Sequence, residues 1–99
     1  MMRFTALELK MLALFSEELN CATYEEEIDN GNVCLLIESD FKNFPGGTKT
    51  ARGVISSLVK KGMVTVDYHG IDGRTEYWAT DKGLKSVFEE IVHVGYIYY

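Results

Sequence analysis

Gly46-Gly47-Thr48-Lys49-Thr50-Ala51-Arg52-Gly53-Val54-Ile55-Ser56-Ser57-Leu58-Val59-Lys60-Lys61-Gly62-Met63-Val64 is the stretch on which the fold turns. Ala51, Val54, Ile55, Leu58 and Val59 follow the i, i+3, i+4, i+7, i+8 spacing of one buried helical face. Lys49, Arg52, Gly53, Ser56, Ser57 and Lys60 then fall on the opposite side, which is small, polar, positive and without a carboxylate. The spacing predicts a helix over 48–61, with Thr48 as its cap and Gly62 as its stop. Lys60 and Lys61 lie in the last turn, where positive charge suits the helix dipole. Gly53 is out of place in a helix interior, where glycine costs about 1 kcal/mol against alanine. It is either an unoptimised residue or a place where another backbone or a base edge comes close.

Outward from this helix the pattern changes period. Met63 to His69 and Arg74 to Thr80 read as two strands around Gly70-Ile71-Asp72-Gly73, a loop of hairpin length and composition. Val64, Val66 and Tyr68 alternate with polar residues and predict one buried face. Tyr77 and Trp78 point to opposite faces, so at least one packs on the core. Thr80 caps a last helix with the stripe Leu84, Val87, Phe88, Ile91 and Val92.

The segment from Thr50 through the hairpin to Leu84 resembles the recognition helix and wing of a winged helix-turn-helix domain. "ISSLVKKGMVTV" is similar to the pattern of MarR-like regulators and small winged-helix proteins of bacteria and phages, and "ATDKGL" (Ala79 to Leu84) to the helix start after their wing. The resemblance covers residues 46–92. It implies an α+β winged helix-turn-helix with a three-helix core, a β-hairpin wing and a C-terminal helix. It further implies that the helix enters the major groove of double-stranded DNA and the wing reaches the adjacent minor groove. Those roles carry over to Lys49 through Lys60 and to the wing around His69 and Arg74. Arg52 and Ser56 would face base edges, Lys49 and Lys60 phosphates, and Thr48 or Thr50 would add a hydroxyl. The candidate DNA-binding set is Thr48, Lys49, Arg52, Ser56, Ser57, Lys60, His69 and Arg74. The chain departs from the family in its acidity, its short wing with two aspartates, and its lack of long flanking helices; no effector is expected.

Upstream, Thr5 to Leu19 reads as a first helix, with Thr5 and Glu8 forming a capping box. Its broad apolar stripe suits a core or a second subunit. Residues 20–32 read as a polar connection carrying Glu25-Glu26-Glu27 and Asp29 and closing on the turn Asn30-Gly31-Asn32. Consecutive carboxylates are ordinarily a solvated loop; the functional alternative is a patch for a protein partner at 25–29. The apolar run Val33 to Ile37 fits a buried strand or a helix, and periodicity does not choose. A winged helix needs a second helix ahead of the recognition helix, so the resemblance favours helix over 33–44, with a turn at Phe44-Pro45-Gly46-Gly47. A short strand near Leu35 is the other outcome.

Ninety-nine residues with 46% hydrophobic and 25% charged side chains suit one domain with its own core. The net charge is −5, distributed unevenly. Residues 1–40 hold two bases and nine acids, whereas 41–86 hold eight bases and four acids. The positive half thus coincides with the reading helix and wing, a distribution compatible with DNA binding at reduced non-specific affinity. The start of the chain is unlike a signal peptide, and no apolar run has the length of a membrane span, so a cytoplasmic location without membrane contact is expected. Cys21 and Cys34 are read as reduced thiols, Cys34 buried, and they lack zinc-site spacing with His69 and His93. No catalytic motif, cofactor fingerprint or metal constellation is present, which argues against an enzyme. The aromatic tail Gly95-Tyr96-Ile97-Tyr98-Tyr99, together with the first and last helices, suggests a homodimer. The leading expectation is a small transcriptional regulator that binds operator DNA. The alternative is a non-catalytic protein-interaction module, such as a phage-encoded inhibitor or adaptor, using its acidic surface.

Overall fold

The computed structural model describes residues 3–29 and 34–95. The turn at 30–32, Val33 and the tyrosines of the tail lie outside the described residues, so the dimer surface suggested for the tail is not represented. The elements are α1 (Ala6–Ser16), α2 (Tyr24–Asp29), β1 (Leu35–Ile37), α3 (Gly47–Lys60), β2 (Val64–Asp67), β3 (Glu76–Ala79) and α4 (Asp81–Val87). A 3₁₀ turn, Glu38–Phe41, follows β1, another, Ile71–Gly73, forms the hairpin tip, and a π turn, Phe88–Val92, continues α4. Among the described residues the architecture is α+β, four helices with one antiparallel three-stranded sheet of order β1-β3-β2. Among the described residues no helix is long and apolar enough to cross a membrane.

Local chemistry explains most boundaries. The capping box of α1 forms: Thr5 Oγ1 accepts from Glu8 N at 3.1 Å, and Glu8 Oε1 accepts from Thr5 N at 2.8 Å. α3 ends as its glycine predicts. Gly62 sits at φ +78, Met63 N donates to Leu58 O at 2.9 Å, and Gly62 N donates to Val59 O at 3.0 Å. These are the paired bonds of a Schellman stop. Thr80 then serves two elements, accepting from Gly83 N at 3.0 Å and donating to Gly62 O at 2.7 Å. A Cβ on Gly83 would lie 1.9 Å from Met63 O, so only glycine lets α4 pass this close to the α3–β2 junction.

Three expectations are corrected. First, the described part of 33–44, residues 34–44, is not an α-helix. Leu35, Leu36 and Ile37 pair with Trp78, Tyr77 and Glu76 of β3, and only the 3₁₀ turn follows. β3 of the hairpin has a second free edge, and the short apolar run satisfies it. Ile37 N donates to Asp40 Oδ2 at 2.8 Å, which closes the strand into the turn. Second, the connection 20–32 holds a helix. Thr23 Oγ1 accepts from Glu26 N at 3.2 Å as a cap, and Glu25, Glu26 and Glu27 occupy the first turn, where acids suit the dipole. Third, α3 begins one residue early. Gly46, not Thr48, is its N-cap, and no side chain caps it.

The core is built from Met11, Leu12 and Phe15 of α1, Phe41 of the turn and Phe44 after it, Ala51, Ile55 and Leu58 of α3, Val64 and Tyr77 of the hairpin, and Leu84, Val87, Phe88 and Ile91 at the end. The Phe41 and Tyr77 rings pack tilted at 5.1 Å, and Tyr24 meets Phe88 edge-on at 6.5 Å. Of the two adjacent aromatics of β3, Tyr77 is thus the one in the core. Cys34 is buried, and burial, aided by the Glu27 and Glu18 carboxylates, pushes its thiol up to about 12. Three residues expected inside are exposed in part, Val59 and Val92, or mostly, Tyr68 at 68% exposure. Tyr68 leaves the sheet because β2 ends at Asp67, where the Asp67 side chain accepts from His69 N at 2.9 Å and turns the chain.

Candidate nucleic-acid interface

α3 packs against α1, β2 and the 3₁₀ turn Glu38–Phe41, and its remaining face is open. Lys49, Arg52, Gly53, Ser56 and Lys60 are all exposed along it, and Thr48 is half-buried at its start. No carboxylate of α3 interrupts the row. Among the described residues Lys49 and Lys60 enter no ion pair.

Ser57 does not belong to that face. Its hydroxyl donates to Glu8 Oε2 at 2.7 Å, and Lys61 Nζ donates to Glu8 Oε1 at 2.7 Å. Glu8 is 2% exposed, so its charge is held inside by a capping N–H, a hydroxyl and an ammonium. Burial alone raises the pKa of this carboxyl, but the bonds from Lys61, Ser57 and Thr5 together outweigh it and bring the value below the ordinary one. Lys61 also donates to Arg3 O at 2.7 Å and lies 5.3 Å from the Phe4 ring centroid. Ser57 and Lys61 therefore tie α3 to the start of α1, a structural task that their polar character alone did not reveal.

Arg52 faces outward but has a partner. Its Nη2 lies 2.6 Å and its Nε 2.7 Å from Glu38 Oε1, and the Tyr77 hydroxyl donates to the same oxygen at 3.2 Å. The bond to Glu38 raises the Arg52 pKa further. Burial and the Glu38 carboxylate raise that of Tyr77, so its hydroxyl keeps the proton it donates. Glu38 was not singled out in the sequence; its position became meaningful only when β1 and the 3₁₀ turn brought it beside α3.

Three adjoining depressions connect α3 to the hairpin. One, of about 410 Å³, lies between Ser56, Val59, Lys60 and Thr65, Val66, Tyr68. The next, of about 340 Å³, shares Ser56, Val66 and Tyr68 and reaches Arg52, Tyr77 and Glu38. The third, of about 370 Å³, shares Glu38 and Thr75 and ends at Gly73 and Arg74. Lys60, Ser56, Arg52 and Arg74 thus border one continuous shallow groove. Arg74 Nε is 3.8 Å from Glu76 Oε2, a loose pair, while Glu76 is buried beneath the loop and accepts from Ile71 N at 3.3 Å. His69 is exposed at the beginning of the loop and borders none of these depressions.

The acidic segment is not a uniformly solvated loop. Glu25, Glu26 and Asp29 are exposed, but Glu27 is fully buried. Glu27 Oε1 accepts from the backbone N–H groups of Asn20 and Cys21 and so holds α2 against its own lead-in. Among the described residues no group of three or more His, Cys, Asp or Glu side chains is placed to hold a metal ion.

In comparisons with known proteins, no family model, curated protein or solved structure matches this chain.

Proposed function

We propose that the protein is a small winged-helix DNA-binding protein acting as a transcriptional regulator, with α3 as the reading helix and the β2–β3 hairpin as the wing. The observation that carries the reading is the open α3 face: Lys49, Arg52, Ser56 and Lys60 exposed in one row and continuous, through the groove, with Arg74. Cations on a rigid helix position a phosphate backbone, and a small polar side chain between them leaves room for base edges. The strand order β1-β3-β2, with a short helical turn ahead of α3, is compatible with a winged helix. In this reading the second helix of the motif is reduced to the turn Glu38–Phe41. The exposed carboxylates of Glu25, Glu26 and Asp29 add to the negative net charge and so weaken non-specific attraction.

The test is binding to labelled duplex DNA across a salt series, beside a variant with Arg52, Lys60 and Arg74 changed to alanine. Steep salt dependence, with a slope reduced by about 0.9 for each phosphate contact removed, is expected. Absence of binding by the unchanged protein at low salt would sink the regulator reading.

A second reading has its own support. Two of the groove's cations already face carboxylates, Arg52 with Glu38 and Arg74 with Glu76. A partly neutralised surface suits a protein-interaction module, whose partner would meet the exposed Glu25, Glu26 and Asp29. Loss of partner capture on charge reversal there, in a protein that ignores DNA, is the outcome that would favour it.

A further inference from the structure

Three donors converge on one oxygen of Glu38: Arg52 Nε, Arg52 Nη2 and the Tyr77 hydroxyl. A guanidinium fork plus a hydroxyl is the donor set that recognises a phosphate oxygen. One donor is held in place: Tyr77 is 5% exposed, with its ring tilted against Phe41. Arg52 projects from the middle of a fourteen-residue helix. The ion pair itself is open to water. The Arg52 and Glu38 side chains are 58% and 41% exposed, and exposed pairs of this kind are weak. Glu38 also lies where two depressions of the groove meet, the one leading to Ser56 and the one leading to Arg74.

We infer that Arg52 and Tyr77 form a phosphate site in the groove, and that Glu38 occupies it as an internal competitor which a nucleic-acid backbone phosphate must displace. This rests on the DNA reading and adds a restraint to it. The competitor lowers affinity for any duplex, so tight binding requires further contacts, of the kind a matched sequence supplies.

Duplex binding is measured for four proteins: unchanged, Glu38→Gln, Arg52→Ala, and the double variant. Glutamine retains an acceptor oxygen for Tyr77 and Arg52 while removing the charge, and thermal unfolding checks that each variant folds. Glu38→Gln is expected to tighten binding about two- to fivefold at low salt, the scale of an exposed pair. In the Arg52→Ala background the same substitution is expected to change nothing, because the pair is already gone. An equal gain in both backgrounds would mean simple net charge and would overturn the inference. Equal or weaker binding by Glu38→Gln overturns it too, weaker binding marking Glu38 as a positioning residue for Arg52. In these cases DNA binding itself survives, whereas no binding by any of the four proteins removes both readings.

Discussion

α3 meets the same chemical group twice, a carboxylate from another element held by a cation and a hydroxyl, and the two copies do different work. On the inner side Glu8 takes Lys61 and Ser57; on the outer side Glu38 takes Arg52 and Tyr77. The inner carboxylate side chain is 3% exposed, the outer 41%. Burial decides the difference. A buried charge that loses its partners is left with a desolvation cost, so the inner set resists change. In the outer set Arg52 and Glu38 lie in water, where an ion pair is exchanged at little cost, and only Tyr77 is buried. The first is suited to hold two helices together, the second to yield to a ligand.

The largest test of the inner side is at its end. Gly83→Ala places a methyl against the Met63 carbonyl and is expected to destabilise by about 3 kcal/mol, measured as a lower urea midpoint. A variant that unfolds like the original would mean that α4 and the α3–β2 junction are free to move apart. Next, Glu8→Ala removes half of the capping box and the carboxylate partner of Lys61 and Ser57, and should cost about 2 kcal/mol. Glu38→Gln, by contrast, is expected to leave the unfolding midpoint unchanged within error; equal losses at both positions would erase the distinction between the two sets.

The same contrast has a pH signature. The Glu8 carboxyl has a lowered pKa in the folded state, so the stability it contributes is present above the unfolded value of about 4.3 and is lost as pH falls through the folded value. Stability below about pH 4 should therefore decline less in Glu8→Gln than in the unchanged protein. Parallel acid limbs in chemical unfolding would show that Glu8 is not the group responsible.

The smallest effect belongs to the outer face. Gly53 has open space around its Cα, and Gly53→Ala should stabilise the free protein by about 0.5–1 kcal/mol through helix propensity and a less flexible unfolded chain. If DNA approaches this face closely, the same variant binds duplex more weakly in spite of its greater stability. Stabilisation with unaltered binding would make Gly53 simply an unoptimised residue.

Where the signals were local, the chain was legible. The Thr5–Glu8 box, the glycine stop at Gly62, the Thr80 cap and the turn at 70–73 involve neighbours within a few residues, and each lies where the spacing put it. Apolar periodicity located α3 but not its exposed end at Val59. Legibility failed where a partner is distant. The run Leu35–Ile37 became a strand because β3, about forty positions later, offers an unpaired edge. Glu27 stands among three consecutive acids, yet it is the one turned inward to two backbone N–H groups.

The candidate surface divides along the same line. The sequence by itself determined that one face of α3 is cationic and free of carboxylates, because helical spacing sorts side chains by direction before any partner is present. Only the tertiary structure decided that Ser57 turns inward to Glu8 and that Arg52 meets Glu38. Both contacts join positions separated by fourteen residues or more, and the fold alone brings such groups within hydrogen-bond reach.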